Sequence, residues 1–171
     1  MGLSSDFTQP RPGAPGAPTP LIGALLRIPF ETVRDRMIAG LHQRGYSDLI
    51  AAHLDVFQYP GPENRRPVEL ATEIGMSKQA LNYLLGQLEQ LGYLTRETDD
   101  SDQRSKRIVL TPRGRAAIGA IREIVQDVEA EWEQELGAPK FAQLRDLLTQ
   151  LHAITTAPAH GDEPRTLHYE G

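Results

Sequence analysis

Apolar residues between positions 68 and 92 repeat at helical spacing in two short runs. The first run gives a short helix one apolar face, formed by Leu70, Ala71 and Ile74. Gly75 follows it, and a residue without Cβ can adopt the positive φ of a tight turn. Ser77 then stands where a hydroxyl accepts a hydrogen bond from a free backbone N–H in the first turn of a helix. The pattern predicts two helices joined by a tight turn.

The second of these helices has distinct apolar and polar sides. Its apolar side is predicted to pack on the core and consists of Ala80, Leu81, Leu84, Leu85, Leu88 and Leu91. The opposite side carries side chains that can bond to bases or phosphates: Lys78, Gln79, Asn82 and Tyr83. No acidic residue lies among them, so this side is suited to enter a groove of DNA.

Segments rich in aromatic and β-branched residues predict two strands, at positions 93–96 and 107–110. The intervening residues 97–106, ETDDSDQRSK, are polar and rich in turn formers, which predicts a projecting loop. Arg104 and Lys106 lie at or near its tip, and a narrow minor groove attracts such cations. Taken alone, the loop is also typical of a solvated turn. Its position directly after a helix-turn-helix favours a DNA-binding wing.

These segments resemble the MarR family of dimeric transcriptional regulators, over roughly Leu21 to Ile154. The resemblance is carried by the segment GMSKQALNYLLGQLEQLGYL and by the wing pattern Asp102-x-Arg104 followed by Leu110-Thr111-Pro112-x-Gly114. It implies an all-α dimerisation domain fused to a winged helix that binds pseudo-palindromic operators. In that family the DNA is often released by a small phenolic or other aromatic ligand.

By position, the resemblance assigns residues 77–79 and Asn82 to the recognition helix and Arg104 to the wing tip. The predicted partner is therefore double-stranded DNA. Arg65 and Arg66, in the loop before the first helix, could also touch phosphate, although paired arginines in a loop are more often only solvated. The candidate DNA-binding residues are Ser77, Lys78, Gln79, Asn82, Tyr83, Arg104, Lys106, Arg65 and Arg66.

Amphipathic helices are predicted on both sides of this winged unit. The first begins at Leu21 and contains Pro29, which lacks an N–H and predicts a kink or break near residues 27–29. A long helix begins at Thr111 and Pro112, a side-chain cap followed by proline at the first helical position. Its apolar residues advance by three or four and are Ile118, Ile121, Val125, Val128, Trp132 and Leu136. A last amphipathic helix follows the break at residues 137–139.

These apolar stripes need a surface that covers them. Within one chain they can pack on the first helix, which is one interpretation. The interpretation we favour is a homodimer with a symmetric interface, because a winged unit alone offers too little surface for all three helices. The predicted interface residues are Leu21, Leu25, Val125, Val128, Trp132, Phe141, Leu144 and Leu148.

A further helix is predicted over residues 48–57, with Ser47 as its cap. Near it, His42, Tyr46 and His53 allow two interpretations. In the first, they line a pocket for a small aromatic effector between the dimerisation helices and the winged unit. In the second, they are partly buried packing residues whose ring nitrogens are satisfied.

The composition argues against several kinds of site. The 171 residues contain no cysteine, so a disulfide, a thiolate metal site and a cysteine peroxide sensor are excluded. The histidines lack metal-ligand spacing, and no G-x-S-x-G, P-loop or dinucleotide-binding glycine pattern occurs. We therefore expect no enzyme, no cofactor and no metal. No apolar run is long enough to span a membrane and the N-terminus lacks signal-peptide features, which predicts a cytoplasmic protein.

The net charge of −5 is unevenly distributed. Residues 1–61 are neutral, residues 62–115 have nine basic against eight acidic side chains, and residues 116–171 have four against ten. The acidic part therefore lies away from the predicted DNA-binding segment, and the overall acidity argues against non-specific coating of DNA. It also supports an alternative function. In that alternative, a winged-helix module has lost operator binding and binds another protein through its acidic C-terminal helices.

The chain is thus predicted to be mainly α with a small β-hairpin wing, in the α+β class. We expect a winged helix-turn-helix with N- and C-terminal dimerisation helices, acting as a transcriptional repressor that binds an inverted-repeat operator as a homodimer. The expected divisions are a flexible Pro/Gly-rich arm at 1–20, N-terminal helices at 21–57, the DNA-binding domain at 58–111, C-terminal dimerisation helices at 112–155 and a polar, disordered tail at 156–171.

Overall fold

The computed structural model describes residues 19–99 and 102–156. Within these residues it has six α-helices and one antiparallel pair of strands, which confirms the predicted fold class. The expected N-terminal arm and C-terminal tail lie almost entirely outside the described residues. In chain order the elements are α1 (Ile22–Gln43), α2 (Ala51–Phe57), α3 (Pro67–Glu73), α4 (Lys78–Gln90), β1 (Leu94–Asp99), β2 (Asp102–Leu110), α5 (Pro112–Leu136) and α6 (Ala138–Thr156).

Helices α3 and α4 form the predicted helix-turn-helix. In the turn, Gly75 has a φ of 68°, and the Ser77 hydroxyl accepts a hydrogen bond from the Ala80 N–H at 3.1 Å. Both features confirm the prediction. Ala80 was expected on the apolar side but is exposed, as are Ser77, Lys78 and Gln79 beside it. The core side of α4 is formed by Leu81, Leu84, Leu85 and Leu88, all of them buried.

The wing is longer than predicted. Strands β1 and β2 pair antiparallel from Leu94 opposite Leu110 to Thr98 opposite Lys106, with a shift in register beyond Thr98. The prediction of a loop is therefore wrong for residues 97–99 and 102–106, which lie in the two strands. A two-stranded ribbon satisfies its backbone groups by pairing and needs no buried face, so polar side chains do not prevent strand formation here.

The base of the wing is joined to the segment before α3. The Asn64 N–H donates to the Ile108 carbonyl at 2.8 Å, and the Ile108 N–H donates to the Arg65 carbonyl at 2.9 Å. The Glu63 carboxylate accepts a hydrogen bond from the Leu110 N–H at 2.8 Å. This segment therefore satisfies backbone groups on the outer edge of β2.

A kink or a break was predicted near residues 27–29, and the break does not occur, because helix α1 continues through Pro29. Proline removes the N–H that would otherwise bond to the carbonyl of Leu25. This part of α1 is open to solvent, since Leu25 is 53% and Phe30 is 51% exposed. Water can satisfy the carbonyl at such a position, and the helix can therefore tolerate the proline.

Helix α2 begins at Ala51, not at Asp48 with Ser47 as its cap. The Asp48 carboxylate instead accepts hydrogen bonds from the Tyr93 hydroxyl at 2.6 Å and from the Arg113 guanidinium at 2.8 Å. These partners lie far away in sequence. Their contacts hold the residues before α2 in a turn, and they override the local capping pattern.

Helix α5 begins as predicted, with Pro112 at its first position and the Thr111 hydroxyl accepting from the Gly114 N–H at 3.1 Å. A Cβ on Gly114 would lie only 2.0 Å from the Tyr93 carbonyl oxygen. Glycine therefore allows the start of α5 to approach the base of the wing.

Helix α5 packs along α1 of the same chain. The Glu131 carboxylate accepts from Arg36 at 2.6 and 3.0 Å, and a Cβ on Gly40 would lie 2.7 Å from Ile124. Val128, predicted at the dimer interface, is 1% exposed within the single chain. For this residue the prediction is corrected, because almost no area remains for a second copy to bury.

Helix α6 follows the predicted break at Gly137, where φ is 83°. None of its residues is buried in the single chain. Trp132 of α5 and Phe141 of α6 are half-buried. The apolar side chains of α6 stay exposed at Leu144, Leu147, Leu148, Leu151 and Ile154, as do those at the start of α1 at Leu21, Ile22 and Leu25.

Candidate nucleic-acid interface and cavities

The recognition helix α4 presents its predicted polar residues to solvent. Lys78, Gln79 and Asn82 are exposed, and Tyr83 is 67% exposed. The Gln87 amide donates to the Tyr83 hydroxyl at 3.1 Å, which supports the ring from the next turn. Because buried leucines anchor the other side of α4, this polar face is held outward as a rigid surface.

His53 anchors α4 from the neighbouring helix α2. Its ring is 2% exposed, its Nδ1 accepts from the Ile50 N–H at 3.3 Å, and its Nε2 lies 3.1 Å from the Gln87 side-chain oxygen. Since Nδ1 accepts, Nε2 carries the proton and donates to Gln87. Both ring nitrogens are therefore satisfied by packing contacts.

His42 is exposed and Tyr46 is half-buried, and each has a contact within the chain. The His42 Nε2 donates to the Leu49 carbonyl at 2.8 Å, and the Tyr46 ring lies 6.3 Å from the Tyr93 ring. Neither residue lines the cavities described below, and nor does His53. The structure thus places none of the three predicted pocket residues in either cavity; Tyr46 and His53 pack against the core, whereas His42 is exposed.

The wing is tied to the end of the recognition helix. Arg96 of β1 donates twice to the Glu89 carboxylate of α4, at 2.6 and 3.0 Å. Lys106 of β2 is exposed. The backbone of Arg104 lies in β2, while its side chain lies outside the described part of the molecule. Wing and recognition helix therefore form one unit.

Arg65 and Arg66 are less available for DNA than their loop position suggested. The Arg65 guanidinium forms an ion pair with Glu73 at the end of α3. Arg66 is the N-cap residue of α3, and its N–H donates to the Glu69 carboxylate at 3.3 Å. The charge of Arg65 is thus already balanced within the protein.

A cavity of about 940 Å³ lies between α1, α5 and the segment that joins α2 to α3. Ligand sites for small molecules commonly have this size and an apolar lining. The apolar wall consists of Phe30, Val33, Met37, Phe57, Leu110, Ile118, Ile121 and Val125.

Three arginines line this cavity, and two of them have partners in the chain. Arg65 is paired as described, and Arg115 donates to the Leu110 carbonyl at 2.6 Å and lies 3.6 Å from Glu63. Arg122 is exposed, and no ion pair or side-chain hydrogen bond within the described ranges involves it. Arg122 is therefore the cation best placed to meet an anionic ligand.

A second cavity, of about 550 Å³, lies between the end of α5 and α6. The Tyr59 ring reaches it and contacts the His152 ring edge-on, with their centres 5.8 Å apart. Four residues predicted at the dimer interface line it: Trp132, Phe141, Leu144 and Leu148.

Sequence reasoning does not find the larger cavity. Phe30, Val33 and Met37 follow helical spacing, so they cannot be told apart from ordinary packing positions in α1. The available signal is the proline and glycine run at residues 60–62. Proline and glycine interrupt helices and strands, so this segment is not expected to form a regular element that fills the space between two helices.

Among residues 19–99 and 102–156, no group of three or more His, Cys, Asp or Glu side chains is placed to hold a metal ion. No helix in these ranges has both the length and the apolar character needed to cross a membrane.

Comparison with known proteins points to one family. The sequence model of the MarR family matches residues 58–105. A transcriptional regulator of Thermotoga maritima is 27% identical over 78% of this chain and 93% of its own, with a TM-score of 0.53. A MarR-family protein of Mycobacterium tuberculosis in complex with salicylic acid is 26% identical over 78% and 97%, with a TM-score of 0.57. The transcriptional repressor CouR bound to a 23-mer DNA duplex is 22% identical over 77% and 92%, with a TM-score of 0.60.

The matched residues contain α3, α4, β1 and the start of β2, which are the elements of the helix-turn-helix and its wing. The chain is a winged helix-turn-helix protein. Over residues 58–105 it is similar to the MarR family, in agreement with the resemblance in its sequence pattern.

Proposed function

We propose that this chain is a sequence-specific DNA-binding repressor that acts in the cytoplasm as a homodimer on an inverted-repeat operator. Residues 58–111 form the DNA-binding domain in this proposal, and the helices within residues 21–57 and 112–155 form the dimerisation part. A small aromatic ligand binds in the larger cavity and releases the DNA.

The exposed polar side of α4 carries this proposal. The amide groups of Gln79 and Asn82 can each donate to and accept from an adenine edge in the major groove. Lys78 lies in the first turn, where the helix N-terminus adds its own positive potential toward a phosphate. The pairing of Arg96 with Glu89 keeps the wing beside this helix, so both can approach one duplex.

Two uncovered apolar surfaces support the dimer. One is the start of α1 with Leu21 and Leu25, and the other is the side of α6 with Leu144 and Leu148. Apolar surfaces of this extent are characteristic of interaction sites. A two-fold symmetric pairing can cover both, and it would present two recognition helices to successive major grooves.

Selection of bound fragments from a random DNA library, followed by mobility shift, tests the proposal. We expect an inverted repeat whose half-sites are centred about 10 base pairs apart. The affinity should fall steeply as salt rises, because phosphate contacts release counterions. Failure to select any sequence at low salt would favour the alternative, a protein-interaction module that has lost operator binding.

The proposed contact at the wing gives a separate prediction. Arg104→Ala should weaken operator binding by roughly 1–3 kcal/mol, because an arginine is lost from a narrow minor groove. Oligomeric state and unfolding temperature should stay unchanged. Lys140→Ala, which removes one charge from an exposed position on α6, is the matched control and should bind like the wild type. Equal affinities for both variants on the selected operator would disprove the wing contact.

The larger cavity supports an anionic aromatic ligand. Its wall is apolar and includes the Phe30 and Phe57 rings, which favour a planar apolar group. Arg122 provides a positive charge at the same wall, and its guanidinium can bond a carboxylate through two N–H groups. A MarR-family relative contains salicylic acid, which makes salicylate a suitable probe.

Salicylate is therefore expected to bind the wild type and to release the operator fragment. Arg122→Ala should weaken salicylate binding about tenfold, as expected for losing a charge-assisted hydrogen bond in a partly solvated site. Operator affinity without salicylate should not change. Calorimetric titration measures the first effect, and Lys140→Ala again controls for the loss of charge. Unchanged salicylate affinity in Arg122→Ala would disprove the proposed contact between Arg122 and the ligand.

A further inference from the structure

Asp48, Tyr93 and Arg113 form a cluster where three parts of the molecule meet. Asp48 lies in the turn between α1 and α2, Tyr93 lies between α4 and the wing, and Arg113 lies in the first turn of α5. The Tyr93 hydroxyl donates to one Asp48 oxygen at 2.6 Å, and Arg113 donates to the other at 2.8 Å. The Arg113 guanidinium also stacks on the Tyr93 ring, 4.4 Å from its centre.

The cluster holds the C-terminal end of the recognition helix against α5. Arg113 donates a second hydrogen bond to the Leu91 carbonyl at 2.7 Å, and the Thr111 hydroxyl donates to the Gly92 carbonyl at 2.7 Å. Tyr93 itself is fully buried, and the Phe57 ring contacts it edge-on at 5.9 Å. The ring is therefore enclosed by the core while its hydroxyl is held by Asp48.

The electrostatics of the cluster fix its donor and acceptor roles. Burial alone would raise the pKa of Asp48, but the Tyr93 hydrogen bond and the Arg113 charge outweigh burial, and this pKa is lowered. Burial, followed by the hydrogen bond to Asp48, raises the pKa of the Tyr93 hydroxyl. At neutral pH Asp48 is therefore charged and Tyr93 protonated.

We infer that Tyr93, held by Asp48 and Arg113, is a positioning residue that fixes the angle of the winged unit on α1 and α5, and thereby the half-site spacing that the protein accepts. In a dimer, both recognition helices must enter grooves at a set separation. A winged unit that can rotate on its scaffold would tolerate other separations. This inference rests on the proposed dimeric binding of an inverted repeat.

Tyr93→Phe in the full chain tests this role, because it removes the hydroxyl and keeps the ring. Affinity is measured for the operator that the wild type selects and for versions with the central spacer one base pair longer or shorter. We expect about tenfold weaker binding to the selected operator, a typical size for coupling between two sites. Binding to the altered spacers should change little, so the preference for one spacing falls.

Two further variants make this test specific. Asp48→Asn removes the charge of the acceptor at a half-buried position and leaves the Tyr93 ring in place, so it should also reduce the spacing preference. Tyr46→Phe is the matched control, since it removes a hydroxyl from the neighbouring ring, and no side-chain hydrogen bond of that hydroxyl is found in the described part of the chain. It should keep the wild-type preference.

Circular dichroism of each variant establishes that the helices are folded. If Tyr93→Phe is folded but weakens binding to all spacings equally, the cluster only stabilises the fold and the inference is overturned. If Tyr93→Phe fails to fold, Asp48→Asn decides in the same way. A wild type that selects no operator overturns the proposed function and this inference together, whereas variants that keep the spacing preference overturn the inference alone.

Discussion

Replacing Leu148 with lysine is expected to convert the proposed dimer to a monomer and to abolish binding to the full operator. Leu148 is 41% exposed in the single chain and lines the second cavity, as does Trp132. In a covered interface, lysine would place an unpaired charge among apolar side chains, at a cost of about 3–5 kcal/mol. A monomer engages one half-site, and the loss of bivalent binding lowers affinity about a hundredfold or more.

Light scattering and footprinting of the same samples measure both effects of Leu148→Lys. Ala153→Lys is the matched control, because Ala153 is exposed on the opposite side of α6 and receives the same charge. It should remain a dimer and protect the operator. A wild type that is monomeric at micromolar concentration and still protects a full inverted repeat would refute the symmetric assembly.

Features that depend on neighbouring residues could be predicted from the sequence. The Ser77 and Thr111 caps and the positive φ of Gly75 are local, because each is determined by a residue and the few that follow it. The buried side of α4 follows from spacing alone, since four leucines at steps of three and four can face only one way.

Features that depend on distant contacts could not be predicted. Asp48 looks like the first residue of a helix until its partners Tyr93 and Arg113, dozens of residues away, are known. The burial of Val128 within one chain depends on how α5 lies along α1. A periodic stripe shows that a residue is covered, but it does not show whether the same chain or a second copy covers it.

The candidate site also contains both kinds of feature, those that depend on neighbouring residues and those that depend on distant contacts. The polar face of α4 is a property of one helix, so its exposed residues could be named from the sequence. The larger cavity is lined by α1, α5 and the segment between α2 and α3, and no single pattern contains it. His42 and His53 were interpreted as lining an effector pocket because of their residue type. Their hydrogen bonds to the Leu49 carbonyl and the Gln87 amide become visible only in the folded chain.

Replacing both Gln79 and Asn82 with alanine is expected to remove most of the sequence preference and to leave non-specific binding intact. Each amide that bonds a base edge contributes roughly 1–3 kcal/mol of discrimination between base pairs.

Lys78→Ala provides the contrast, because a lost phosphate contact weakens binding to all sequences alike. It should also reduce the slope of log K against log salt by about 0.9 for each contact, hence about 1.8 for a dimer. Titrations of the selected operator and of random DNA at several salt concentrations separate the two classes. If both variants lose affinity equally on the two kinds of DNA, the exposed face of α4 does not read bases directly.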